Sequence, residues 1–278
     1  MNRRIPDTAT VEAAVALALR APSAGNAQPW CWRIGYSTLH LFADVDRPAS
    51  EPDLGERDVL LGCGAALHHV RVAFAALGWD TEVQRLPDPD DATHLAVVTP
   101  HPAGRPTAET TALAAAIPRR RTDRRPPAAW PVPREHLDAL ARAAACEDAR
   151  LAVVTESIRA GRPSDLRTRP LALRTGGEVL LLATATDDRT ALVRAGEATS
   201  AVLLSATALG LASCPLPASW DGFEASAHSR SAHPQVLLRI GWAPPGSEPL
   251  PPAPRRRLGH VLEPLPAPPK YHHRLATT

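Results

Sequence analysis

Apolar residues recur at helical spacing in several long stretches of the chain. The spacing predicts helices over residues 10–19, 53–77, 108–117, 134–145 and 190–209. The longest of these helices has an apolar face that runs from Leu60 to Phe74, which indicates a central core helix. It contains Gly62-x-Gly64 without the third glycine of a dinucleotide-binding loop, so we interpret the two glycines as close packing inside a helix.

Short apolar segments between these helices predict strands. The predicted strands cover residues 30–34, 39–42, 82–86, 94–98, 150–154, 178–184 and 235–240. The arginine-rich segment 157–175 has no regular spacing of apolar residues, which predicts a loop. Residues 243–269 contain so many prolines that we expect an arm without regular structure. The mixed order of helices and strands predicts an α+β fold.

The pattern of helices and strands starts again after a proline-rich connection at residues 99–106. We therefore predict a single domain over residues 1–278 that consists of two halves and an arm. The first half covers about 1–105, the second half about 106–242, and the proline-rich C-terminal arm 243–278.

The charge balance and the composition exclude several partners. Thirty-one basic and 29 acidic residues give a net charge of +2, so we expect neither nucleic acid nor a membrane as a partner. We find no apolar run near the length of a membrane span and no signal peptide, which predicts a cytoplasmic protein. The four cysteines are far apart and no H-E-x-x-H occurs, so we predict no metal site.

The first candidate binding segment is the loop over residues 21–30, APSAGNAQPW. Its prolines fix its shape, and it presents the hydroxyl of Ser23 and the amides of Asn26 and Gln28. Because each amide donates and accepts hydrogen bonds, the pair can recognise the N–H and C=O edge of a flat heterocycle. The alternative is an ordinary capped turn.

The second candidate segment holds five arginines in the seven residues 119–125, RRRTDRR. Such a cluster of like charges is destabilising unless an anion offsets it, and a phosphate dianion accepts several forked contacts from guanidinium groups. The alternative is a solvated basic patch on the surface.

These two segments resemble motifs of the nitroreductase superfamily. APSAGNAQPW is similar to its P-S-x-x-N-x-Q-P-W loop, and RRRTDRRP is similar to its R-R-S/T-x-R flavin-phosphate motif. The loop comes first here, an order that resembles the Acg-like branch, whose chain is an internally duplicated fusion that mimics the usual dimer. Residues 60–89 and the segments ATALGLASCPLP, HPQVLLRIGW and PAPRRRLGHVL fit that branch too, so the resemblance spans nearly the whole chain.

The resemblance implies a nitroreductase-like α+β fold with one FMN in a cleft between two pseudo-symmetric halves. The phosphate would be surrounded by Arg119, Arg121, Arg124, Arg255 and Arg257, and Ser23, Asn26 and Gln28 would meet the ribityl chain and the ring edge. The remaining cofactor-binding residues that it implies are Pro22, Pro215, Leu216 and Pro217. The flavin carries the chemistry, so no catalytic side chain is expected.

Two departures from the family pattern concern activity. The family places Glu-Gly near the flavin N5, where this chain has Pro217-Ala218, and Pro217 has no N–H to donate. The chain is also shorter than the Acg-like branch, and we place the shortfall between residues 156 and 176.

The resemblance implies an FMN-dependent oxidoreductase that takes a hydride from NAD(P)H and passes electrons to a small conjugated acceptor. The alternative is a protein of the Acg-like type that binds or sequesters FMN without turnover. A third interpretation is an idle dimerisation module whose arginines contact an acidic partner. Whether the fused halves form a homodimer stays open.

Overall fold

The computed structural model describes residues 5–44, 55–154, 177–216 and 232–265, and within them helices and strands alternate in a mixed order. The helices are α1 (Thr8–Ala18), α2 (Glu56–Ala76), α3 (Ala108–Ala116), α4 (Arg134–Ala145) and α5 (Arg189–Ala208). The strands are β1 (Trp30–Ile34), β2 (Leu39–Ala43), β3 (Trp79–Arg85), β4 (His94–Pro102), β5 (Arg150–Val153), β6 (Glu178–Thr184), β7 (Ala212–Leu216), β8 (His233–Gly241) and β9 (Leu262–Pro264). The α+β prediction and the five predicted helices are confirmed.

Side-chain caps explain where three of the helices begin. Asp7 accepts a hydrogen bond from the Thr10 amide at 2.8 Å, and Thr107 and Asp188 cap α3 and α5 in the same way. Each cap satisfies one of the amides that the first helical turn leaves unpaired.

The strands form two sheets with the same internal order. The first sheet runs β3-β4-β2-β1 with β9 added beside β1, and the second runs β7-β8-β6-β5. Each half thus contains two hairpins separated in sequence by one long helix, α2 in the first half and α5 in the second. This repetition shows the two pseudo-symmetric halves.

The long helices α2 and α5 pack against each other at a pair of glycines. A Cβ atom on Gly64 would collide with the carbonyl oxygen of Val193, and one on Gly196 would collide with that of Leu61. The contact is reciprocal because each glycine faces the residue three positions before the other. The interpretation of Gly64 as a close-packing residue is therefore confirmed.

Each half has its own hydrophobic core. The first core includes Trp30, Trp32 and Phe74, and the second includes Leu182 and Val202. By length and composition α2 could cross a membrane, but 72% of its most apolar window is buried inside the protein, as in the core helix of a globular domain.

Two strands were not anticipated from the sequence. The edge strand β7 contains Pro215, and β9 lies in the arm, where Leu262 pairs in parallel with Trp32 of β1 and the Trp32 amide donates to the Val261 carbonyl at 2.6 Å. The expectation of an arm without regular structure is wrong here, because the open edge of β1 offers it a backbone ladder. The loop predicted at 157–175 lies outside the described residues.

Candidate functional site

The loop between α1 and β1 has a constrained backbone. Three of its residues have a left-handed backbone conformation, which residues other than glycine rarely adopt. The φ angles are 52° at Gly25, 56° at Asn26 and 53° at Gln28. The Ser23 hydroxyl accepts a hydrogen bond from the Gln28 amide at 2.9 Å and closes the turn. A Cβ on Gly62 of α2 would lie 3.3 Å from Ser23 Cβ, so this glycine lets the loop approach the core helix.

The amides of this loop are hydrogen-bonded to the C-terminal arm. Asn26 Nδ2 donates to the Pro254 carbonyl at 3.1 Å, and Asn26 Oδ1 accepts from Arg255 at 2.9 Å. Gln28 Oε1 accepts from the Arg256 amide at 2.9 Å. Arg256 also donates to Asp44 at 2.8 Å and to the Gln28 carbonyl at 3.2 Å. The loop and the arm therefore hold each other in place.

The arginine-rich segment follows α3 and contacts the same arm from the second half. Arg121 Nε donates to the Leu250 carbonyl at 3.1 Å, while the carboxylate of Asp123 is engaged by Arg125 at 2.7 Å. Arg239 of β8, which is buried, donates to the carbonyls of Asp123 and Arg125, both at 3.0 Å. This buried guanidinium fixes the backbone of the segment.

The loop, the arginine segment and the arm line an open cavity of about 390 Å³ between the two halves. Five of its lining residues are arginines, and no described carboxylate lines it. Three of the five come from the arginine segment, one from the arm, and one, Arg20, directly precedes the loop. The lining residues are Arg20, Pro22, Ser23, Asn26, Ile117, Arg120, Arg121, Thr122, Arg124, Leu250, Pro251, Pro252, Ala253, Pro254 and Arg255. A cavity of this composition is suited to an anion that accepts several hydrogen bonds, such as a phosphate.

Two of these arginines are charged at a cost. Burial, followed by the charges of Arg255, Arg121 and Arg20, lowers the pKa of Arg120 to about 10. Burial and the charges of Arg20 and Arg121 likewise lower the pKa of Arg255 to about 10. Both side chains stay protonated at neutral pH, so the cavity holds positive charge that the described part of the chain does not neutralise.

The structure brings six of the twelve anticipated cofactor-binding residues to this cavity. Those that line it are Pro22, Ser23, Asn26, Arg121, Arg124 and Arg255. Gln28 belongs to the same loop, but its side chain is buried, with 4% of its surface exposed, and it does not line the cavity. Arg119 is exposed, and its side chain donates to the Ala115 carbonyl at 3.0 Å. Arg257 is exposed as well and is not among the lining residues.

The segment anticipated at the flavin ring is described only in part. Pro215 and Leu216 lie in β7, paired with Leu238 and Leu237 of β8, and they are not among the lining residues. The Asp123 amide donates to the Ser213 carbonyl at 2.9 Å, which joins β7 to the arginine segment. Pro217 lies outside the described residues.

Sequence reasoning missed Arg20 and Arg120. Arg20 directly precedes the Ala21-Pro22 stop of α1, and a basic residue at a helix end beside a candidate loop was an available signal. Arg120 belongs to the arginine run, but composition alone does not say which arginines of a run face inward. The backbone of Arg120 donates to the Ala116 carbonyl at 2.8 Å, so the turn that ends α3 directs the segment.

The corresponding region of the second half contains ion pairs. Residues 146–149 connect α4 to β5, whereas residues 19–29 connect α1 to β1. Glu147 of the short turn accepts from Arg71 at 2.7 Å, and Arg71 also donates to Glu197 at 2.9 Å. Glu197 is fully buried and accepts from Arg85 at 2.7 Å. The two halves thus share a framework but differ in what surrounds it.

The structure thus combines a two-half α+β fold with an arginine-lined cavity between the halves. The Mycobacterium tuberculosis (strain H37Rv) protein named "Putative NAD(P)H nitroreductase Rv3131" is 39% identical over 323 aligned positions, which cover 95% of this chain and 94% of the relative. The protein named "Putative NAD(P)H nitroreductase acg" from the same strain is 35% identical, over 93% of this chain and 98% of the relative. The chain belongs to the nitroreductase family, in the branch that contains acg.

No family model matches the chain. Among solved structures, a nitroreductase with bound FMN from Bacteroides fragilis is 16% identical with a TM-score of 0.42, and the match covers 54% of this chain and 96% of that chain. The alignment with Rv3131 is longer than the 278 residues of this chain, so that relative contains residues that this chain lacks.

Proposed function

We propose that this protein binds one FMN per chain and acts as an FMN-dependent NAD(P)H oxidoreductase of the nitroreductase type. The observation that carries the proposal is the cavity lined by five arginines without a described carboxylate, in a chain that belongs to the nitroreductase family. The electron acceptor is a small conjugated molecule, and the cytoplasm is the expected location.

The residues present fit the phosphate end of FMN. Arg120 and Arg255 are buried or half-buried cations that lack a carboxylate partner among the described residues, so a phosphate dianion would relieve their mutual repulsion. Arg121 and Arg124 would add contacts from the same segment, and Ser23 and Asn26 would face the chain that joins the phosphate to the ring. That Arg119 and Arg257 contact the phosphate stays a prediction, because their side chains would have to turn toward the cavity.

When bound, FMN supplies the redox chemistry, accepting a hydride from the nicotinamide and passing two electrons on. The protein's own residues bind and orient. The arm closes the cavity from one side, and its hydrogen bonds to Asn26 and Gln28 keep the loop in its left-handed conformation. The ion pairs of Glu147 and Glu197, which occupy the corresponding region of the second half, support the proposed stoichiometry of one FMN per chain.

The test is to purify the protein, record its visible spectrum and identify the released cofactor by chromatography. We expect a yellow protein with about one FMN per chain. FAD as the released cofactor, or no binding at saturating FMN, contradicts the proposal. Anaerobic addition of NADPH or NADH should then bleach the flavin absorbance, and the comparison of their rates identifies the preferred reductant.

The second candidate function is FMN binding without turnover. The sequence favours it at one place, because Pro217-Ala218 stands where the family has Glu-Gly and Pro217 has no N–H for the flavin N5. A protein that binds FMN but does not bleach with either nicotinamide under anaerobic conditions has this function and not the first one.

A further inference from the structure

Two buried polar atoms, one on helix α2 and one in the lining of the arginine-lined cavity, have no hydrogen-bond partner among the described residues. One is Nε2 of His69, a residue of α2 with no exposed surface. The other is Nε of Arg120, a lining residue that is 5% exposed. Buried polar groups without partners are costly in a folded protein, so each needs a physical explanation.

The partners of His69 fix which of its ring nitrogens carries the proton. Nδ1 lies 2.9 Å from the Ala65 carbonyl, which can only accept, so Nδ1 is the protonated nitrogen. Nδ1 also lies 2.8 Å from Ser200 Oγ, and that hydroxyl lies 2.8 Å from Nδ1 of His68. The Ser200 hydroxyl therefore accepts from His69 and donates to His68, whose Nε2–H faces Glu147 at 3.8 Å. With these hydrogen bonds assigned, Nε2 of His69 carries no proton and remains an acceptor without a donor.

His69 is also held in its neutral form. Burial, followed by the charges of His68, Arg120 and Arg255, keeps its pKa well below the usual range of histidine. Arg120 remains a cation at neutral pH. Val72 lies one helical turn after His69 and packs in one apolar cluster with Ile117, which lines the cavity. The neutral imidazole acceptor therefore lies on the side of α2 that faces the segment of Arg120, and both polar atoms are unpaired among the described residues.

We propose that His69 is a positioning residue of the cavity, whose bare Nε2 accepts a hydrogen bond from Nε–H of Arg120, directly or through one water, when a phosphate occupies the site. This inference rests on the proposed function. With its Nε–H held by His69, Arg120 turns its two terminal nitrogens to the cavity, where they make a two-pronged contact with phosphate oxygens. His69 itself does not touch the ligand.

The experiment compares FMN with riboflavin, which lacks the phosphate, in the full-length protein. His69→Phe removes the acceptor, and we expect about tenfold weaker FMN binding with riboflavin binding unchanged. His69→Gln restores an acceptor oxygen and should bind FMN within about threefold of the parent. Ser200→Ala is the matched control, since it removes the hydroxyl between the two histidines but leaves the Ala65 carbonyl to orient His69.

A spectroscopic measurement covers the case in which His69→Phe does not fold. In protein labelled with ¹⁵N-arginine, the Nε–H signal of Arg120, assigned with Arg120→Lys, should exchange slowly with water in the FMN complex. Rapid exchange of that signal, or equal loss of FMN and riboflavin affinity in His69→Phe, overturns the inference and leaves the proposed function intact. Failure of the parent protein to bind FMN overturns both.

Discussion

Replacing Arg120 by methionine should make the FMN-free protein more stable while it weakens FMN binding. The side chain is buried, it has no carboxylate partner among the described residues, and its one side-chain hydrogen bond within them is a long one, 3.4 Å from Nη1 to Thr122 Oγ1. Methionine keeps an unbranched apolar stem and removes the charge. The substitution therefore separates the cost of the cation from the packing of its stem.

The magnitude follows from the pKa. Burial and the neighbouring arginines lower the pKa of Arg120 to about 10, and one pKa unit corresponds to about 1.4 kcal/mol, so keeping the residue charged costs the folded protein on the order of 3 kcal/mol. The folded state disfavours the cation, so this cost is present at every pH below about 10 and is relieved only as the pH rises through that value. After the loss of some packing, we expect a net gain of roughly 1–2 kcal/mol for the FMN-free variant at pH 7.

FMN binding should change in the opposite direction. The loss of a hydrogen bond between a charged group and the phosphate corresponds to about 1.5–3 kcal/mol, or roughly 10- to 150-fold in affinity. The assays are urea unfolding of the flavin-free protein, followed by circular dichroism, and calorimetric titration with FMN. Arg142→Met, an exposed position on α4, is the matched control and should change neither quantity.

An Arg120→Met variant that is less stable than the parent and binds FMN equally well would refute this reasoning. It would show that the guanidinium is an ordinary packing element and not an uncompensated cation kept for an anion.

Three other substitutions test separate parts of the structure. Arg121→Ala should weaken FMN binding by roughly 1.5–3 kcal/mol in the same titration, and an effect no larger than that of Arg142→Ala would mean that the arginines form only a solvated surface. Glu197→Gln should lower the free energy of unfolding by about 3–5 kcal/mol, because it removes the buried carboxylate that Arg71 and Arg85, both half-buried, share. A change below about 1 kcal/mol in urea unfolding would contradict it. Pro217→Glu with Ala218→Gly restores an N–H donor, and a preorganised donor of this kind can be worth about 10²–10³ in rate. Reduction of the bound flavin by NAD(P)H, followed by stopped flow, should therefore be faster than in the parent, with similar FMN affinity. Equal rates in the two proteins would contradict this prediction.

The helices could be predicted from the sequence because their signal is local. The apolar face of α2 and the caps Asp7 and Asp188 depend on residues a few positions apart. Strand β9 could not be predicted in this way, because what makes Leu262–Pro264 a strand is the open edge of β1, far away in the chain. Strand β7 was missed because it is an edge strand with a proline, which an interior strand would not tolerate.

At the site, the sequence likewise identifies the segments but not where their side chains point. A run of five arginines and a rigid amide-bearing loop can be recognised in the sequence, and both border the cavity. The sequence does not say that Arg119 folds back onto the Ala115 carbonyl while Arg120 is buried, since that depends on how α3 ends. Nor does it say that Asn26 and Gln28 bond to the arm, since the arm is contributed from more than two hundred residues away.

The fusion of two halves explains how the described parts of the two halves can differ, with the arginine-lined cavity in one region and ion pairs in its counterpart. At the crossing of α2 and α5, the reciprocal contacts of Gly64 and Gly196 make Gly62 and Arg194 equivalent positions, each two residues before its glycine. Gly62 gives Ser23 room to approach α2, whereas Arg194 forms an ion pair with Asp148 of the short turn. In a dimer of identical chains any substitution would appear in both sites at once. A single chain can keep the glycine in one half and place a charged side chain in the other, so one region forms the arginine-lined cavity while its counterpart forms ion pairs.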